Sequence, residues 1–234
     1  MKNFTIIAHR GASGYKFENS ISAFKMAIEL KANMIETDAQ ITKDGVIILN
    51  HDNSIKKTTN QKGLISKLSL DELKKIPLKN GESMPTYQEL LDISKGNIEI
   101  NLEIKARRVE KLVTDITLKN DMLEKVVFSS FSLKTLKTIR EYNNDARLAY
   151  LIIIQGSFIA RLNYWMKKIT ELNVESINPF HMFVSSKLVK EAHKHKILIY
   201  PWTINDAIKI RNLIEEKNID GVFTDYPDIL KKFM

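Results

Sequence analysis

Seven residues carry chemistry that their spacing could bring together. His9 and Arg10 close a short apolar run, Phe4 to Ala8, and are followed at once by Gly11. Glu36 and Asp38 lie two apart in "MIETDAQ", so on a strand both face the same side. Buried together they repel, and the cost is several kcal/mol unless a cation lies between them. His51 follows in "VIILNHD", and Glu103 and Lys105 end "IEINLEIK". Three carboxylates in a cysteine-free chain make a hard oxygen site for one divalent cation, Mg²⁺, Ca²⁺ or Mn²⁺, rather than zinc. Two imidazoles, an arginine, a lysine and such an ion suit a phosphate ester, the cations meeting its charge and the imidazoles moving protons.

Local pattern predicts how these residues are held. "DAQITKDGVIILNHD" reads as a hairpin turning at Asp44-Gly45, a strong tight-turn pair. That register sets Asp38 directly opposite His51, about 5 Å away. In "IEINLEIK", Ile98, Ile100, Leu102 and Ile104 alternate with Glu99, Asn101, Glu103 and Lys105, which puts the second set on one face. Short β-branched runs recur along the chain, mostly with an amphipathic helical pattern after each. Helices are expected at 19–31, 86–95, 109–120, 132–142, 158–172, 185–194 and 205–217, with Ser132, Ser185 and Asn205 as N-caps.

This alternation is that of a parallel α/β architecture. Eight or so strands in 234 residues, with one pair lacking a helix between, fit a single-domain (β/α)8 TIM barrel better than an open sheet. In such barrels the chemistry sits at the carboxyl ends of the strands. Residues 52–85 are polar and turn-rich, with a short helix at 69–75, and read as a small insertion after the third strand, lying over the barrel mouth. Neither G-x-G-x-x-G nor G-x-x-x-x-G-K-[ST] occurs, which removes the usual nucleotide-binding readings.

Composition narrows the partners. The chain has 44% hydrophobic and 27% charged residues and a formal net charge of +8. Its lysines are scattered rather than clustered with aromatics, so we expect no nucleic-acid partner but mild attraction to anionic substrates or lipid surfaces. The apolar window Leu148–Ala160 is broken by Gln155 and Gly156 and is shorter than the roughly 20 residues of a membrane span. It reads as a buried strand and a turn. Gln155–Lys168 carries Phe158, Ile159, Tyr164, Trp165 and Met166, either as an interfacial docking helix or as a barrel helix burying its aromatics. With no cysteine and no secretory signal pattern, a cytoplasmic location is the expectation.

Taken together, "HRG", "FEN", "IETDAQITKDGVIILNHD", "LEIK", "SSF", "PWTIN" and "DGVFTDYPD" resemble the glycerophosphodiester phosphodiesterase family of TIM barrels, in order from Ile6 to about Asp228. The resemblance implies that His9 and His51 are the paired acid and base and that Glu36, Asp38 and Glu103 are the metal ligands. Arg10 and Lys105 correspond to the cations on the phosphate, Glu18 to the acid that orients Arg10, and Trp202 to the aromatic at the substrate mouth. The sequence does not fix which histidine is the base, with a slight lean toward His9. The implied reaction is hydrolysis of a small glycerophosphodiester to sn-glycerol 3-phosphate and an alcohol. Lysophospholipase D action on one-chain lipids, and phosphate-ligand binding without catalysis, are the alternatives; oligomeric state is not legible. One departure is Phe17, where the family usually has Pro before Glu-Asn.

Overall fold

β-branched and aromatic runs become strands here because both faces of each are covered, so apolar residues are needed on each side. The computed structural model describes residues 4–153 and 162–230. In chain order the elements are β1 (Thr5–Ala8), α1 (Ile21–Glu29), β2 (Met34–Ile41), β3 (Ile47–Leu49), α2 (Leu70–Lys74), α3 (Tyr87–Ser94), β4 (Glu99–Ile104) and α4 (Glu110–Lys119). Then come β5 (Val126–Ser130), α5 (Leu133–Tyr142), β6 (Arg147–Ile152), α6 (Leu162–Glu171), β7 (Ser176–Pro179), α7 (Ser186–Lys194), β8 (Leu198–Ile199), α8 (Ala207–Lys217) and β9 (Gly221–Thr224).

Eight of the strands are parallel and run β8-β7-β6-β5-β4-β2-β1-β9, with β3 attached to β2 as a hairpin arm. Between β8 and β9, backbone bonds from Asp220 N to Ile199 O (3.1 Å) and from Phe223 N to Pro201 O (3.0 Å) bridge the remaining seam. The result is the expected (β/α)8 barrel. Outward-facing Ile35, Ala39, Ile100, Leu102, Phe128 and Leu148 pack with the helices. Inward-facing Ile7, Met34, Val127, Ala149, Tyr200 and Phe223 form a separate plug in the lumen. Above this plug the same inward face carries Glu36, Asp38 and Glu103.

Helix boundaries follow their caps. Ser132 and Ser185 cap α5 and α7 through their side chains, as their positions predict. Asn205 does not cap α8: Asp206 does, accepting from Ile208 N (2.9 Å) and Lys209 N (3.1 Å). A carboxylate one residue nearer the helix reaches both donors, which frees Asn205 for another task. The hairpin also departs from the predicted register. Pairing is Ala39 with Leu49, Gln40 with Ile48 and Ile41 with Ile47, so Asn50, not His51, stands across from Asp38. The cause is a three-residue loop, Lys43-Asp44-Gly45, with Gly45 at φ 86° between the bonded pair Thr42 and Val46.

Residues 52–85 build a small core together with Ile48 of β3. Ile48, Ile55, Ile65, Leu73, Leu78 and Met84 cluster there, and Phe17 packs against them. Phe17 therefore ties the loop before α1 to this segment by contact, where Pro would have stiffened the loop by its ring. Glu82 adds a second tie by accepting from Ser22 N (3.0 Å) and Ser22 Oγ at the positive end of α1, a helix with no acid in its own first turn. In α6, Leu162 and Met166 are buried and Trp165 packs on the core, while Tyr164 is exposed. Phe158 and Ile159 lie outside the described residues. No helix among the described residues is long and apolar enough to cross a membrane.

Gly11 has a requirement no other residue meets. It sits at φ 80°, and a Cβ there would lie 2.7 Å from the Ala23 carbonyl carbon. Gly11→Ala should therefore destabilise the fold by about 1–3 kcal/mol, read from denaturant unfolding; an unchanged midpoint would contradict the close approach of this turn to α1.

Candidate active site

The carboxyl ends of the strands open into a cavity of about 250 Å³ whose walls include His9, Arg10, Glu36, Asp38, His51, Glu103, Lys105 and Trp202. The seven residues singled out from sequence are thus brought to one place. Glu18 stands just behind, reaching the cavity through Arg10. Asn101 and Ser129 also line the cavity, joined by a Ser129 Oγ to Asn101 Oδ1 bond of 2.6 Å.

Glu36, Asp38 and Glu103 are buried, and each can present an oxygen within 4.8 Å of the others. The parallel register of β2 and β4 places Asp38 beside Glu103, which explains how residues 65 positions apart converge. Burial and the charge of Asp38 push Glu36 up to about 7 and Glu103 up to about 8. Asp38 is also penalised by burial, yet the Lys105 and Arg10 charges hold it below the ordinary range. Its Oδ1 accepts no hydrogen bond, the nearest cation being Lys105 Nζ at 3.4 Å. Mutually repelling oxygens, one of them buried without a donor, fit a metal ion, and these three residues can hold one.

The cations are anchored around that cluster. Arg10 Nη1 donates to Glu18 Oε2 at 2.6 Å, and Nε lies 3.6 Å from Asp38 Oδ2 without a hydrogen bond of its own. Arg10 occupies the left-handed region, φ 54°, with its backbone N–H bonded to Glu36 Oε2 at 2.9 Å. Asn19, at φ 51°, donates to Asp38 Oδ2 at 3.0 Å and accepts from Thr37 Oγ1 at 2.6 Å. Strained backbone of this kind persists where surrounding bonds over-determine it, and it concentrates at functional sites. Lys105 Nζ contacts Glu103 Oε1 at 2.8 Å.

The two histidines differ in their surroundings. His9 Nδ1 is 2.7 Å from Asp225 Oδ1, and Asp225 in turn accepts from Ser13 Oγ (2.8 Å) and Asn205 Nδ2 (2.5 Å). Burial opposes charge on His9, but Asp225 and the Glu36 charge outweigh it and raise its pKa. The bonds from His9, Asn205 and Ser13 overcome burial at Asp225 and hold it at about 2. His51 Nδ1 is 2.9 Å from Asp52 Oδ1, and its Nε2 is 3.2 Å from Lys105 Nζ. Burial, helped by the nearby Arg10 and Lys105 charges, lowers its pKa despite Asp38. Although the hairpin slips by one residue, His51 still reaches the cavity because it lies beyond the end of β3. The sequence reading gave Asp225 no role and took Asn205 for a cap; their only signal was their place in "PWTIN" and "DGVFTDYPD".

Trp202 stands at the mouth. Its indole donates to Asn178 O at 2.8 Å, and its ring meets Phe131 edge-on with centroids 5.8 Å apart.

Fold and site together define a (β/α)8-barrel enzyme with acids, imidazoles and cations gathered at the carboxyl ends of its strands. Comparison with known proteins makes this particular: the Glycerophosphoryl diester phosphodiesterase family model matches residues 9–229, and the chain belongs to that family. A glycerophosphodiester phosphodiesterase from Caldanaerobacter subterraneus is 30% identical over 239 residues, covering 96% of this chain and 95% of its own. The structure of glycerophosphodiester phosphodiesterase from Thermotoga maritima superposes with a TM-score of 0.86 at 27% identity, covering both chains fully. An Oleispira antarctica phosphodiesterase solved with its product sn-glycerol-3-phosphate gives a TM-score of 0.83 at 24% identity, covering 97% of this chain and 95% of its own.

Saturating divalent cation, at about 100 times its Kd, should add about 2.7 kcal/mol to unfolding, or roughly 5–10 °C in Tm for a chain of this size. Asp38→Asn should lose most of that increment in a thermal melt. No metal-dependent increment in the unaltered protein, or a full one in the variant, would contradict the carboxylate assignment.

Proposed function

We propose that the chain hydrolyses glycerophosphodiesters to sn-glycerol 3-phosphate and a free alcohol, with Glu36, Asp38 and Glu103 holding one Mg²⁺, Ca²⁺ or Mn²⁺ and His51 and His9 acting as base and acid. The observation that carries the reading is the opposed state of the two imidazoles. An ammonium has no lone pair, so Lys105 must donate to His51 Nε2, and Nδ1–H then faces Asp52. His51 is therefore neutral, with its basic nitrogen on the cavity side. His9, bonded through Nδ1 to an ionised Asp225, favours the cationic form and has a proton to give from Nε2. A cation held by Glu36, Asp38 and Glu103 would supply positive charge for the phosphate.

Arg10 and Lys105 orient the diester by its non-bridging oxygens, and Glu18 fixes the Arg10 head group. Trp202 lines the mouth beside the substrate. His51 removes a proton from the attacking oxygen as the new bond to phosphorus forms. The bond to the leaving alcohol breaks, and His9 protonates the departing oxygen. With water as the attacker the product is sn-glycerol 3-phosphate directly. Attack by the substrate's own glycerol hydroxyl instead gives a cyclic phosphate that a water deprotonated by His9 then opens, His51 returning its proton. We read residues 52–85 as an insertion flanking the mouth on the His51 side, and place the reaction in the cytoplasm on the grounds of a cysteine-free sequence.

An acyl-bearing substrate is a second reading, favoured by Phe131, Ile153 and Met182, which are exposed by 40%, 57% and 72% just beyond the ends of β5, β6 and β7. Faster turnover of lysophosphatidylcholine than of glycerophosphocholine would support it.

The acid and base are separable with two leaving groups. On glycerophosphocholine, His9→Ala and His51→Ala should each cost on the order of 10²- to 10⁴-fold in kcat. On a p-nitrophenyl diester, whose leaving group needs no proton, His9→Ala should recover most of that loss and His51→Ala should not. Equal impairment of His9→Ala on both substrates would reverse or remove its role, and near-normal turnover of both variants would end the reading.

The pH dependence follows from the same two shifts. His51 must be neutral, so kcat/KM rises with pH through a value below the ordinary histidine pKa of about 6.5. His9 must be protonated, so kcat/KM falls through a value above it. A pH profile in which His51→Ala abolished the alkaline limb instead of the acid limb would contradict the assignment.

A further inference from the structure

Beyond Lys105 the carboxyl ends of β4 and β5 open into a second hollow of about 730 Å³, which shares Glu103, Lys105 and Phe131 with the catalytic cavity. Arg107 and Arg108, in the loop between β4 and α4, and Lys134, in the first turn of α5, line it. All three are exposed and have no hydrogen-bond or ion-pair partner among the described residues. Lys105 and Glu103 are engaged with each other, which leaves Glu110 as the one acid in this wall. The positive end of α5 adds to the balance: Ser132 caps it, and its first turn carries no acidic residue.

A chain of net charge +8 has spare cations over much of its surface, but these three have a distinguishing position. They stand around a hollow that adjoins the catalytic cavity, the two sharing Phe131 and Lys105, the residue read above as a phosphate ligand. The glycerol half of the substrate is uncharged and constant, so it has no use for them. The leaving alcohol is the part that varies. We infer that the groove formed by Arg107, Arg108 and Lys134 binds an anionic group, a phosphate or a carboxylate, carried by the leaving alcohol, and that it selects such diesters over neutral ones. This rests on the hydrolase reading above.

The test compares kcat/KM on three diesters sharing the glycerophosphoryl half, with leaving groups of glycerol, glycerate and glycerol phosphate. Three partly screened charges amount together to roughly a tenfold preference for the anionic substrates at low salt. The preference should collapse in the triple variant Arg107→Gln, Arg108→Gln, Lys134→Gln, and should shrink as the Debye length falls from about 30 Å at 0.01 M to about 3 Å at 1 M salt. The neutral substrate serves as the folding control and should be turned over within about twofold of the unaltered rate, since none of the three contacts the reacting atoms. The glycerate and phosphate arms show which anion the groove prefers. Equal kcat/KM on neutral and charged substrates, or a preference that survives the triple substitution, would overturn the groove assignment alone. No turnover of any of the three would defeat the hydrolase reading beneath it.

Discussion

Three carboxylates buried within 4.8 Å of one another at the end of a barrel cannot all be ionised without positive charge among them. Most of the surrounding structure answers that requirement. Arg10 and Lys105 approach Asp38 from two sides, Asn19 reaches in as a neutral donor, and the Arg10 backbone amide turns toward Glu36. To do this the chain holds two non-glycine residues at positive φ and packs the turn between them so tightly on α1 that only Gly11 fits. The lumen below is filled with apolar side chains, which form an apolar floor beneath the charged layer.

The barrel also gives the two imidazoles unequal neighbours. His9 ends the first strand and meets Asp225 just after the last, 216 residues on, because β1 and β9 pair in parallel. Asn205, before α8, then holds Asp225 through its backbone and side chain. His51 instead comes from the hairpin arm outside the main strand order and leans on Lys105 and Asp52. One histidine is buttressed by a carboxylate across the seam of the barrel, the other pressed by cations, so the two imidazoles are biased toward opposite protonation states by architecture rather than by residue type.

The charged layer was legible in the sequence because period-two alternation assigns Glu36 with Asp38, and Glu103 with Lys105, to single strand faces. Capping serines were equally legible, since a hydroxyl before an amphipathic run has few other uses. The hairpin register was not: Asp44-Gly45 signals a two-residue turn, but Gly45 at φ 86° serves a three-residue loop equally well, and the difference is one residue of slip. Asn205 and Asp225 escaped for a different reason. Their partners lie across the closing seam, and no local period encodes contacts made at such separation. Phe17 could be seen as a departure from a familiar pattern, while its packing against the small core of segment 52–85 needed that segment folded.

The central claim, that these carboxylates hold a metal serving phosphodiester cleavage, is tested most directly by release of sn-glycerol 3-phosphate from glycerophosphocholine before chelation, after EDTA, and after Mg²⁺, Ca²⁺ or Mn²⁺ is restored. Release that stops on chelation and returns with at least one of the ions is the predicted result. Release at an undiminished rate in EDTA would contradict it.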